Sequence, residues 1–245
     1  MKIYLDTETI GLPSMFKEDD KLCNQLAYMI EDENSSSIYS TYCRPELYKQ
    51  SSISAMAINH ITPEFLEDKP LLQNTKEYKL LNSLTQDKNI FIAHNSPFDK
   101  SILEREGIDF KDSYFIDTLK IAKFINDNQQ IYDALNLQHL KYHYRLDLLK
   151  PALEKELKID KNLKAHDAVS DVLDLVLLYK QFQKEFNMTD AGAIDISSKP
   201  LFLKYVPWGI HKGKLFTSLS YGSLNWFCSS DDEDVVYTAN RLINN

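Results

Sequence analysis

Between residues 165 and 179 the chain carries Ala168, Val169, Val172, Leu175, Val176 and Tyr179 at helical spacing, one apolar stripe that must be buried against something. Asp167, Asp171 and Asp174 line another face of the same segment. Carboxylates three and four residues apart repel by about a few tenths of a kcal/mol per pair, and no basic residue lies within a turn of Asp171 or Asp174 to offset them. A solvated acidic face and a divalent-cation site both fit this pattern. Other acids at element ends favour the second reading. Asp6 and Glu8 close the first strand-like run, and Asp99 opens a helix after a short apolar strand.

In residues 2–6 the pattern alternates, with Ile3 and Leu5 on one side and Tyr4, Asp6 and Glu8 on the other. The period of two puts both carboxylates on one face, where they can share a hard cation that prefers oxygen ligands. Gly11-Leu12-Pro13 marks a turn, and Leu12 is either a wedge that stacks on a base or a tucked-in loop anchor. Residues 26–30 and 37–43 read as two further strands separated by a polar turn, an antiparallel-looking set that precedes any helix. Residues 51–60 and 71–84 have helical spacing, and 89–93 form a short buried strand. The run His94-Asn95-Ser96-Pro97-Phe98-Asp99 then starts a helix. Ser96 is expected at its N-cap, Pro97 at N1 and Asp99 at N3, so capping by itself explains this acid. Its position at the carboxyl end of a strand, where open sheets carry their sites, is left unexplained.

A strand over 114–116, a helix over 117–124 capped by Asp117 and a mixed helical region over 135–157 follow. His139 and His143 in that region are spaced as a metal pair but lack a third ligand, so a surface or partly buried role is expected. His166 would point about 140° from Asp171 on a regular helix, which places it on a frayed first turn or in the preceding loop, free to approach a water.

Hydrophobic residues make up 43% of the 245, ample for one full domain with a smaller unit. No apolar run approaches the roughly 18 residues needed to span a bilayer, and the first six residues lack the apolar core of a signal peptide. A cytoplasmic protein without membrane contact is expected. Cys23, Cys43 and Cys228 form no C-x-x-C pair, so neither a disulfide framework nor a zinc site is indicated. A net charge of −8 argues against a protein that coats nucleic acid electrostatically. It leaves room for an enzyme that grips one strand end locally, since bound cations neutralise their ligands.

Asp6-Thr7-Glu8, His94-Asn95-Ser96-Pro97-Phe98-Asp99 and His166-Asp167-Ala168-Val169-Ser170-Asp171 together resemble the three exonuclease motifs of the DEDD superfamily, in the branch with a catalytic histidine (DEDDh). Each motif is weak alone; their order and spacing are specific, and the resemblance covers roughly residues 1–186. It implies an α/β, ribonuclease H-like exonuclease fold: a mixed five-stranded sheet flanked by helices. Residues 55–62, Asp68-Lys69-Pro70 and the end of the chain from Pro207 to Phe216 and from Tyr221 to Trp226 are similar to the bacterial exonuclease X family. Trp208 stands where that family tends to have Phe, and Ile10 where many relatives carry Thr.

The resemblance implies that Asp6, Glu8, Asp99 and Asp171 hold two Mg2+ ions, with Mn2+ able to substitute, and that His166 is the general base. Thr7, Thr9, Leu12, His94, Asn95 and Phe98 would contact the substrate, Leu12 and Phe98 through the terminal bases. The expected activity is 3′–5′ cleavage of DNA, at a single-strand or duplex 3′ end, releasing nucleoside 5′-monophosphates in the context of DNA repair. RNA trimming and a polymerase-associated proofreading subunit are the alternatives, and protein partners are unknown. The expected organisation is an exonuclease domain at 1–186, a polar linker at 187–200 and a small C-terminal region at 201–245. In that region Lys212 and Lys214, on a turn with His211 and near Trp208, Phe216, Tyr221 and Trp226, either grip a DNA backbone or decorate a small packed appendage.

Overall fold

Strand β1 (Lys2–Thr9) pairs antiparallel with β2 (Cys23–Glu31), and β2 antiparallel with β3 (Ser36–Tyr42). On its other side β1 runs parallel to β4 (Ile90–Ala93), which runs parallel to β5 (Tyr114–Asp117). The result is the expected mixed five-stranded sheet, in the order β3-β2-β1-β4-β5. The structure, a computed structural model, describes residues 1–33, 35–159 and 167–244.

Helices cover both faces. The connection from β3 to β4 holds α1 (Ile53–Asn59), α2 (Pro63–Leu66) and α3 (Lys76–Leu84), and α4 (Ser96–Arg105) joins β4 to β5. Beyond β5 come α5 (Thr118–Gln129), α6 (Leu137–His143), α7 (Leu146–Glu156), α8 (Ala168–Phe186), α9 (Asp190–Ser197), α10 (Tyr221–Phe227) and α11 (Glu233–Ile243). The alternation along β1 decides which side each residue serves. Ile3 and Leu5 enter a core with Leu66, Leu81, Ile102 and Leu103, whereas Tyr4 enters the opposite core with Ile121, Leu140, Val172 and Val176. The period of two therefore aims Asp6 and Glu8 toward α8 and Thr7 toward α4.

Several boundaries differ from the sequence expectation. Helix α5 continues to Gln129, past the expected end at residue 124, because Ile125 still finds the core. The N-cap of α4 is Asn95, in the left-handed region at φ 72°, and not Ser96. Residues 187–200, expected as a polar linker, contain α9: Thr189 caps it, Ala193 is fully buried, and Ser197 Oγ accepts a hydrogen bond from the Asp117 backbone N–H at 2.9 Å. A single buried face was enough to fold this polar run against the β5 edge of the sheet. Among the described residues, no helix is long and apolar enough to cross a membrane.

Candidate active site

At the carboxyl end of β1, the sheet face covered by α8 brings Asp6, Glu8 and Asp171 together. One carboxylate oxygen from each lies within 4.8 Å of the others. All three residues are partly exposed. Burial, followed by the charges of Asp99, Asp171 and Glu8, raises the Asp6 carboxyl well above the usual carboxylate range. Burial and Asp171 raise Glu8 likewise, against a lowering contribution from Asn59. Like charges in so small a volume are unfavourable unless protonated or neutralised by a cation. An all-oxygen donor set of this size fits a hard divalent ion.

Asp99 approaches from the α4 side and is 3% exposed. Capping does not account for it. Its Oδ1 accepts hydrogen bonds from the Thr7 backbone N–H at 2.9 Å and from Thr7 Oγ1 at 2.8 Å, so the acid is fixed to β1 as well as held by its own backbone N–H. Burial raises its carboxyl, opposed by these bonds. The hydroxyl of Thr7, expected at the substrate, is thus engaged in orienting Asp99. Thr9 is similarly committed, its hydroxyl donating to the Gly11 carbonyl at 3.0 Å.

The loop before α4 is held from outside. The Asn95 backbone N–H donates to Asp117 Oδ1 at 2.9 Å, and the same carboxylate oxygen caps α5 through the Leu119 N–H at 2.9 Å. The His94 ring lies between Thr118 Oγ1, 3.0 Å from Nδ1, and the Leu135 carbonyl, 2.9 Å from Nε2. A carbonyl only accepts, so Nε2 carries the proton and Nδ1 is left to accept from Thr118. Both ring nitrogens, assigned to the substrate from the motif, are therefore used inside the protein. Burial lowers the imidazole to about 4, so it is neutral. The side chain of Asn95 is on an exposed residue at the loop tip.

The three acids of the α8 segment have three different partners and do not form one metal face. Asp167 is the N-cap: Oδ1 accepts from the Val169 N–H at 3.0 Å and from Gln25 Nε2 at 3.2 Å, while Oδ2 accepts from Tyr42 OH at 3.0 Å. Asp171 joins Asp6 and Glu8, and its Oδ1 accepts from Gln138 Nε2 at 3.1 Å. Asp174 is fully buried and forms ion pairs with Lys141 at 2.9 Å and Lys150 at 3.0 Å. Lys150 Nζ also donates to the carbonyl and hydroxyl of Ser170, at 2.8 and 2.6 Å, in the first turn of α8. The cations absent from the local sequence arrive from α6 and α7. A signal for this existed, because Asp174 interrupts the apolar run Val172-Leu173-Asp174-Leu175-Val176 and an acid there must be buried with a counter-ion. Gln138, the Asp167 clamp of Gln25 and Tyr42, and the loop tie of Asp117 have no comparable sequence signal.

Leu12 is 61% exposed, which removes the tucked-in anchor reading. Phe98 is half-buried against the α4-side core. His166, expected as the general base, lies outside the described residues. His143 is exposed, edge-on to the rings of Tyr132 and Tyr144, and His139 is half-buried, in keeping with the surface or partly buried role expected of the pair. In the C-terminal region Phe216 is fully buried in a separate small core, whereas Tyr221 and Trp226 are 69% and 62% exposed. Lys212 and Lys214 are exposed on a tight loop closed by the Gly213 N–H to Val206 O and Val206 N–H to Lys214 O bonds, both 2.9 Å. Gly213, at φ 79°, supplies the left-handed turn that the loop requires. These lysines do not belong to the acidic centre.

The chain that folds into this mixed sheet, with carboxylates gathered at the end of its first strand, matches the model of an exonuclease family, RNase_T, over residues 3–179, and belongs to this family. It is a 3′–5′ exonuclease of the DEDD superfamily, a family whose members depend on a divalent metal. Among solved structures it is similar to exonuclease X in complex with 5′-overhanging duplex DNA, at 20% identity over 80% of this chain and 99% of that one, with a TM-score of 0.59. It is also similar to Escherichia coli exonuclease I, in a zinc-bound complex with single-stranded DNA (18% identity, 79% of this chain, 42% of that one, TM-score 0.56) and in a complex with a dT13 oligonucleotide (18%, 76%, 41%, 0.56). The chain thus spans less than half the length of exonuclease I. Comparison with curated proteins returns no match.

Proposed function

We propose that the protein is a 3′–5′ exodeoxyribonuclease that removes nucleoside 5′-monophosphates from DNA 3′ ends, with a role in DNA repair. The observation that carries this reading is the convergence of Asp6, Glu8 and Asp171 within 4.8 Å, with Asp99 fixed beside them on Thr7. The DNA-bound forms of its structural neighbours support the choice of substrate. Asp6, Glu8, Asp99 and Asp171 would hold two Mg2+ ions. Bound there, the ions supply water activation at neutral pH and charge stabilisation of the leaving 3′ oxygen.

The remaining work falls to the chain. The loop bonds of Asn95 and His94 hold the start of α4 and so the position of Asp99. The exposed Leu12 and the half-buried Phe98 offer apolar surface to the terminal bases, an interaction that tolerates any sequence. His166, as in the DEDDh branch, would take the proton from the attacking water as general base. Residues 1–186 carry the chemistry, and 201–245 form a DNA-gripping appendage through Lys212 and Lys214.

Purified protein with Mg2+ should shorten 5′-labelled DNA stepwise from its 3′ end and release labelled mononucleotide at once from 3′-labelled DNA. Asp171→Asn and His166→Ala should each lower the rate by at least about a hundredfold. Degradation of RNA with DNA spared would keep the reaction and overturn the substrate. Full activity of Asp171→Asn would remove the metal centre.

A further inference from the structure

Gln138 has no part in the three exonuclease motifs, yet its Nε2 donates to Asp171 Oδ1 at 3.1 Å. It stands in the first turn of α6, which begins after the Asn136 cap. Three residues further along both helices, Lys141 of α6 pairs with Asp174 of α8 at 2.9 Å. The two contacts form parallel rungs, each helix advancing by three residues, or about 4.5 Å, between them. The inner rung is buried and charged. Asp174 is 0% exposed, and Lys150 joins it from α7 while also holding the Ser170 carbonyl and hydroxyl. Sliding α6 along α8 would separate Lys141 from a buried carboxylate, which strongly disfavours any change of register. The outer rung has a neutral donor, is half-exposed, and ends on a carboxylate of the acidic centre.

We infer that Gln138 is a positioning residue for Asp171: its amide fixes the orientation of that carboxylate for cation binding, and the Asp174–Lys141–Lys150 cluster sets the helix register that lets it reach. The inference rests on the metal-centre reading above. A ligating carboxylate loses a large part of its orientation when an outer hydrogen-bond partner is removed, typically about 10–100-fold in metal affinity. An amide suits the task because it donates without adding a further positive or negative charge to a cluster that must accept a cation. The backbone of α6 needs nothing from this side chain, whose neighbours Leu137 and Leu140 supply the packing.

The test uses the full chain with Mn2+ as probe. Free Mn2+ is followed by electron paramagnetic resonance without nucleic acid, and kcat and KM are measured on a DNA oligonucleotide. Gln138→Met keeps the length of the side chain and removes the donor; Gln138→Ala removes both. Both variants should bind Mn2+ about tenfold more weakly, with kcat lowered, KM within twofold of the parent and the melting temperature unchanged. Excess Mn2+ should restore most of the lost rate. An Mn2+ affinity in Gln138→Met within twofold of the parent would overturn the inference, because packing and not the hydrogen bond would then be what residue 138 supplies. Asp171→Asn separates the two levels. If that variant loses Mn2+ while Gln138→Met keeps it, only the positioning role fails; if Asp171→Asn also binds Mn2+ as the parent does, the metal-centre reading fails with it.

Discussion

His94 shows how a motif residue can serve a site without facing it. Its neutral ring bridges Thr118 and the Leu135 carbonyl, and burial lowers it to about 4 from an ordinary value of 6.5. Between those two values the unfolded chain binds a proton that the folded protein refuses, so stability is complete above about pH 6.5 and is lost as the pH falls toward 4. The loss amounts to roughly 3 kcal/mol for a shift of this size. In His94→Gln that part of the dependence should vanish, which denaturant titrations of both proteins between pH 4 and 7 will measure as a difference of slopes. The acidic centre has the opposite sign. Glu8 is raised by burial and by Asp171, so the folded protein holds the extra proton, and the metal-free protein should lose stability as the pH rises from the ordinary carboxylate range through the raised value. Glu8→Gln should therefore be more stable than the parent at pH 8 without metal, by about 1–2 kcal/mol, and the difference should shrink or reverse in Mg2+. Equal melting temperatures at pH 8 in a chelator would contradict this. The two sites oppose each other in the same pH range, and only the paired variants separate them.

At the scale of elements, α8 is where sequence reading did best and where it went furthest wrong. Its apolar stripe was legible because a helix packed on a sheet repeats its buried positions every third and fourth residue, and that repeat needs no knowledge of the partner. Strand β1 was legible for the same reason, with both faces covered and a strict period of two. The acids of α8 were not separable, since what distinguishes Asp167, Asp171 and Asp174 is the identity of their partners on β2, β3, α6 and α7. Residue spacing places three carboxylates in line; tertiary contacts make one a cap, one a member of the acidic centre and one a buried anchor. Polarity likewise hid α9, whose single buried face is too short to register as a pattern. Asp174→Asn tests the anchor. It leaves two buried ammonium groups without their counter-charge and should cost about 3–5 kcal/mol in a thermal or urea unfolding experiment, whereas Asp167→Asn, which keeps a capping side chain, should cost under about 1 kcal/mol. Similar losses in the two would mean that Asp174 is not the anchor the ion pairs indicate.

At the scale of the whole molecule, the C-terminal region has a core of its own, built on Leu203, Val206, Phe216, Phe227 and Val235, and is fastened to the exonuclease domain mainly along α5. Lys123 pairs with Asp232 at 3.0 Å and Asp234 at 2.7 Å, Lys120 pairs with Glu233 at 2.5 Å, and Asp127 accepts the backbone N–H groups of Lys204 and Tyr205 at 2.8–2.9 Å. Asp234, 2% exposed, also accepts the Leu201 N–H at 2.7 Å. Asp234→Ala should therefore loosen this region by about 3 kcal/mol, seen as faster hydrogen exchange over 201–244 with the sheet still protected; unchanged exchange there would refute the joint. The same helix α5 starts beside the Asn95 loop, where Asp117 and Thr118 make their bonds. Helix α5 thus links the loop beside the acidic centre to the unit that bears the Lys212–Lys214 loop, and its length sets their separation. A nucleic-acid strand long enough to reach both would be held at two points for the entropic cost of one, and a shorter strand would gain nothing from the second. If the Lys212–Lys214 loop grips the backbone as proposed, the spacing set by α5 would act as a ruler, favouring strands long enough to span it.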